Sequence, residues 1–125
     1  MLTEFAGVRQ IPSDGYRRWF TDPDFDLFVW YEDESREQVV GFQLCYNKRS
    51  EQKALTWYRG RGYLHTAIDD GEGTPLKNRT PILVADGQFP RERVAREFEA
   101  AAKGIDKNLF DLVKHRLAEY PSQVG

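Results

Sequence analysis

Cysteine is almost absent from this chain, and the absence is informative. Cys45 is the only one among 125 residues, so no intrachain disulfide can form and a multi-cysteine zinc site is excluded. Apolar runs are short as well. None approaches the roughly 18 residues that a membrane helix needs, and Glu4 and Arg9 interrupt the N-terminal segment where the hydrophobic stretch of a signal peptide would lie. The expectation is a cytoplasmic protein with no membrane partner. Charge of one sign is missing too: 18 basic side chains face 20 acidic ones. No global field therefore draws the molecule to phosphate polymers, and nucleic acid is not an expected partner. Repeats and low-complexity segments are lacking. Only two histidines occur, which limits general acid–base chemistry.

What is present suits a folded domain. A hydrophobic fraction of 40% with 14% aromatic residues exceeds what disordered chains carry. A mean hydropathy of −0.67 still keeps the chain out of the membrane class. The length fits one domain, residues 1–125, with a core large enough to need no staples.

Residues 1–23 place Phe5, Val8, Ile11, Tyr16, Trp19 and Phe20 at irregular intervals around a Pro12-Ser13-Asp14-Gly15 turn signal, which reads as an irregular N-terminal arm. A sheet region follows over 26–84. In Asp26–Glu32, Leu27, Val29 and Tyr31 alternate with Phe28 and Trp30, so both faces are apolar. In Gln38–Asn47 the alternation puts Val40, Phe42, Leu44 and Tyr46 on the core side, and Val39, Gly41, Gln43 and Cys45 on the other. A continuous apolar face requires Phe42 to pair with Trp57 and Leu44 with Leu55.

The densest segment is Lys53–Ile68, a hairpin turning at Gly60-Arg61. A two-residue type II′ turn with Gly60 first sets Trp57 opposite Leu64, Tyr58 opposite Tyr63 and Thr56 opposite His65. The competing reading is one long strand bent at Gly60 and Gly62. After a long acidic loop, Pro81 opens a short edge strand over Ile82–Val84. Over 90–120, Pro90 fits a first helical position, Val94 and Phe98 recur at helical spacing, and Gly104 has the place of a C-terminal cap. Asp106 then fits the N-cap of a second helix, whose apolar stripe is Leu109, Leu112, Val113, Leu117 and Tyr120. The fold expected is α+β: an antiparallel sheet of about four to five strands with two C-terminal helices packed on one face.

No motif assigns an activity. On the expected register Cys45 and His65 share a face about 11 Å apart, beyond the reach of a nucleophile–base pair. Asp69, Asp70 and Glu72 lack the alternating spacing of a calcium loop, and no metal or cofactor is expected. Arg59 and Arg61 with Tyr58 and Tyr63 supply the ingredients of single-strand recognition but form no basic stripe. The candidate binding surface is therefore Thr56, Tyr58, Arg59, Arg61, Tyr63, His65, Asp69 and Asp70. It belongs to a second sheet face that is either roofed by the arm or left open. The leading expectation is a non-enzymatic module binding an unspecified protein or small molecule through that face. The alternative is a small enzyme centred on His65, Tyr58, Tyr63 and the 69–73 loop. Nothing in the sequence fixes the oligomeric state.

Overall fold

Alternating apolar residues in three consecutive strands set the register of the whole sheet. The computed structural model describes residues 1–10, 15–69, 82–85 and 89–120. Within them the strands are β1 (Thr3–Glu4), β2 (Tyr16–Thr21), β3 (Asp26–Tyr31), β4 (Val39–Tyr46), β5 (Lys53–Tyr58), β6 (Gly62–Asp69) and β7 (Ile82–Ala85). They form one antiparallel sheet in sequence order. Helices α1 (Arg91–Ala101) and α2 (Lys107–Ala118) follow. The α+β class is as expected. The strand count of seven among the described residues exceeds the four to five read from the sequence.

Val29 pairs with Phe42 and Leu27 with Leu44, while Phe42 pairs with Trp57 and Leu44 with Leu55. These residues make one apolar face, covered by Val94 and Phe98 of α1 and by Leu109, Val113 and Leu117 of α2. Each such side chain taken from water contributes roughly 1.5–3 kcal/mol before ordering entropy offsets it. Among the described residues, no helix is long and apolar enough to cross a membrane.

Four local expectations change. The first 23 residues are not irregular throughout: Tyr16–Thr21 is a full strand on β3, with Arg18 opposite Val29 and Phe20 opposite Leu27. Its alternation sends Arg18 and Phe20 to the helix side and Trp19 to the other. The register between β3 and β4 shifts between Trp30 and Tyr31, so that Trp30 faces Gly41 while Tyr31 faces Val39. This bulge skips Val40 and turns Val39, not Val40, towards the core. At the helix boundaries, Pro90 is the residue before α1, and α1 ends at Ala101 with Ala102 as its C-cap. Asp106 occupies the N-cap position of α2 but makes no side-chain cap bond, because its carboxylate accepts from Arg18 instead.

The fourth change is the hairpin. Tyr58 pairs with Gly62, which leaves Arg59-Gly60-Arg61 as a three-residue loop and sets Trp57 opposite Tyr63 and Leu55 opposite His65. Arg61 N–H donates to the Tyr58 carbonyl at 3.0 Å. Gly60, third in that turn, has φ +83° and Gly62 has φ +87°. With two left-handed glycines the turn takes one residue more than a II′ loop, and a one-residue shift exchanges the two faces of the strand. A methyl group at position 60 would meet nothing within 4 Å, so Gly60→Ala isolates the backbone cost. Its unfolding free energy is expected to fall by about 1 kcal/mol. Urea titration should show a lower midpoint at unchanged slope; an unchanged midpoint would contradict the left-handed turn.

Candidate functional site

The new register divides the surface proposed from sequence. Thr56 and Tyr58 face away from the helices, whereas Tyr63 and His65 face them. Arg59 and Arg61 lie in the hairpin loop. Asp69 ends β6 opposite Ile82, and Asp70 lies outside the described residues, as does the remainder of the 69–73 loop.

On the helix side, Tyr63 is wedged under the end of α2. Its hydroxyl donates to the Arg116 carbonyl at 2.6 Å, and its ring meets Tyr120 edge-on at 5.3 Å. Burial pushes the Tyr63 phenol upward from its ordinary value. His65 is buried, stacked on Tyr46 with ring centroids 5.9 Å apart and edge-on to Phe89 at 5.3 Å. Its Nε2 shares a short hydrogen bond with the Tyr46 hydroxyl. The histidine is thus a core-wall residue bonded to a tyrosine. Cys45 is opposite Ala54, on the other face from His65, so the two belong to no common site. Burial drives the Cys45 thiol up to about 12, which leaves it protonated and non-nucleophilic at neutral pH.

The opposite face is ordered in rows across the strands. One row runs Arg17, Trp30, Gly41, Tyr58 and Gly62; the next runs Trp19, Phe28, Gln43, Thr56 and Leu64. Trp30 and Tyr58 stack at 5.3 Å with planes 13° apart. They come from strands on either side of β4, and only a glycine at position 41 lets the rings meet over it. Trp19 stacks on Phe28 at 5.7 Å, and Phe5 lies against Trp19 at 4.8 Å. Phe5 is therefore the arm's contribution to this face, while Tyr16–Thr21 extends the sheet instead of roofing it. Tyr58 and Leu64 are 39% and 49% exposed. Polar groups between the rings are mutually satisfied: Gln43 Nε2 donates to Thr56 Oγ1 at 2.9 Å, and Trp19 Nε1 to Asp26 at 3.2 Å. Asp26 is further held by Lys48 at 3.0 Å. Among the described residues the face offers stacked aromatic area with its polar groups bonded to one another.

One cluster had no signal in the sequence. Arg18 is buried on the helix side, 6% exposed. Its guanidinium donates to both Glu4 carboxylate oxygens at 2.9 and 2.7 Å, to Asp106 at 2.8 Å and to the Tyr31 hydroxyl at 3.2 Å. The Arg18 hydrogen bonds hold the Glu4 and Asp106 carboxyls below their ordinary values, while burial raises the Tyr31 phenol. The cluster ties β1, β2, β3 and the start of α2 together.

Fold and surface together define an α+β protein with a helix-covered core face and an aromatic second face. No family model, curated protein or solved structure matches the chain, and function is argued from these side chains.

Proposed function

We propose that the protein is a cytoplasmic, non-enzymatic binding module whose contact surface is the aromatic second face. The observation that carries this is the Trp30–Tyr58 stack across Gly41, beside the Trp19–Phe28 pair. Stacked rings give large contact area with little side-chain freedom left to lose, which is the character of interface hot spots. Among the described residues the face carries stacked rings with mutually bonded polar groups between them, which suits a protein segment better than a small substrate. A lone, buried and protonated Cys45 agrees with a reducing compartment.

Affinity capture from native-cell extract tests the proposal with three baits: wild type, Trp30→Ser/Tyr58→Ser, and a helix-side control, Tyr63→Phe. The expected result is a partner held by wild type and control and lost from the double variant. With that partner purified, the double variant should bind at least about tenfold more weakly, since hot-spot truncations cost 2 kcal/mol or more. Identical partner sets for all three baits would remove the face as the contact surface.

A further inference from the structure

On the helix side, a groove of about 770 Å³ lies between the β3–β4 connection, the end of β5 and α2. Its volume is within the range of small-molecule sites. Trp57, Val39 and Leu112 supply apolar lining. Four arginines line it, Arg18, Arg36, Arg59 and Arg116, against two carboxylates, Glu37 and Asp106. One of these acids is already taken up by Arg18.

Three of the arginines are open to a ligand. The Arg116 guanidinium lies 4.4 Å over the Trp57 ring. Its Nη1 donates to Glu119 at 2.9 Å, but its Nε is buried with no hydrogen-bond partner, a costly condition for a cationic donor. Arg36 is exposed and makes no ion pair among the described residues; its guanidinium lies 5.8 Å over the Tyr16 ring, a contact that leaves its N–H donors available. It has φ +62°, a conformation that non-glycine residues adopt at a cost and that recurs where a side chain is held for a purpose. Arg36 closes the preceding turn, its N–H donating to the Asp33 carbonyl at 3.1 Å. Arg59 is held by Gln38 at 3.2 Å and by a long 3.6 Å contact to Glu32, both charged groups being more than half exposed. Such a surface pair is readily exchanged for a better anion.

We propose that this groove binds a small organic anion, a carboxylate or phosphate carried on an apolar ring or chain. The apolar body lies against Trp57, Val39 and Leu112, and the anionic head accepts from the guanidinium groups of Arg116 and Arg36, with Arg59 at the rim. Arginine suits this role because its planar fork matches carboxylate and phosphate oxygens. The site is on the opposite side of the sheet from the aromatic face and stands or falls independently of it.

The three tryptophan indole N–H groups report on both surfaces, Trp57 in the groove and Trp19 and Trp30 on the second face. Uniformly ¹⁵N-labelled protein is titrated with 2-naphthoate, 2-naphthyl phosphate and the neutral 2-naphthalenemethanol. The expected result is saturable movement of the Trp57 signal with at least one anion, Trp19 and Trp30 staying in place, and at least tenfold weaker binding of the alcohol. Which anion binds tighter assigns the head group. Arg116→Gln and Arg36→Gln should each weaken that anion by about tenfold, the range of a lost charge-assisted hydrogen bond. Arg36 is exposed, so its variant tests the site even if Arg116→Gln fails to fold. Equal binding of anion and alcohol, movement of Trp19 or Trp30 instead, an unaffected Arg36→Gln protein, or no saturation with either anion would overturn the proposal.

Discussion

Arg18→Ala is expected to lower the unfolding free energy by about 3 kcal/mol, a larger loss than the other substitutions considered for this chain. Breaking a buried ion pair by removing one partner costs about 3–5 kcal/mol when the survivor stays buried. Here the survivors differ. Glu4 and Asp106 are 39% and 60% exposed and regain water, which places the loss at the low end. The Tyr31 hydroxyl stays in the core without its donor, and the Arg18 contact over the Phe20 ring at 4.8 Å disappears. Urea midpoints at a constant slope measure the effect. The partial rescue is equally diagnostic: Arg18→Met with Glu4→Gln and Asp106→Asn removes every charge of the cluster and should recover much of the loss. A triple variant as unstable as Arg18→Ala would show that the charged hydrogen bonds, not packing volume, are what Arg18 supplies.

The same cluster fixes a direction for acid sensitivity. Glu4 and Asp106 are held below their ordinary values of 4.5 and 3.8, so the folded protein binds fewer protons than the unfolded chain across that range. Their contribution is fully present above pH 4.5 and is lost as pH falls through the lowered folded values. The difference in stability between wild type and Arg18→Ala should therefore narrow below pH 4.5. A gap that stays constant down to pH 2 would deny the two carboxylates any linked role.

The parts of the fold that were legible in sequence are those with one apolar face to satisfy. Phe42, Leu44, Leu55 and Trp57 could meet the core in only one register, and the observed pairs are those the alternation required. The helices were legible for the same reason, through Val94, Phe98, Leu109, Val113 and Leu117. The hairpin was not, because Tyr63-Leu64-His65 is amphipathic on either face and one extra loop residue decides between them. β2 was hidden by Arg17-Arg18, a pair that reads as solvent-exposed until partners 14 and 88 residues away are known. Asp106 read as a helix cap for the complementary reason: capping is a local signal, and the guanidinium that outcompetes it is remote. The groove shares this dependence, since Arg36, Arg59 and Arg116 come from three separate parts of the chain.

Gly41→Ala is expected to cost about 1–3 kcal/mol, the usual range for forcing an extra group into packed space, and to disassemble the aromatic face. A Cβ built at position 41 would sit 2.6 Å from the Trp57 carbonyl oxygen and 2.8 Å from the Tyr58 ring. The ring can swing away; the carbonyl cannot move without disturbing the β4–β5 ladder. A glycine within a strand usually marks a bulge or a close approach, and here it serves the second purpose one residue from a bulge. Two measurements separate the two contacts. Loss of the upfield ring-current shifts on Trp30 protons would report that Tyr58 has left its stack. Repeating Gly41→Ala in a Tyr58→Ala background would then remove the ring from the comparison, and the remaining cost belongs to the carbonyl. If Gly41→Ala binds a captured partner like wild type while Trp30 keeps its shifts, the stack does not depend on the glycine. If binding and shifts are lost together while the protein stays folded, the sheet face is a built surface, with Gly41 its enabling residue and the Trp30–Tyr58 pair its centre.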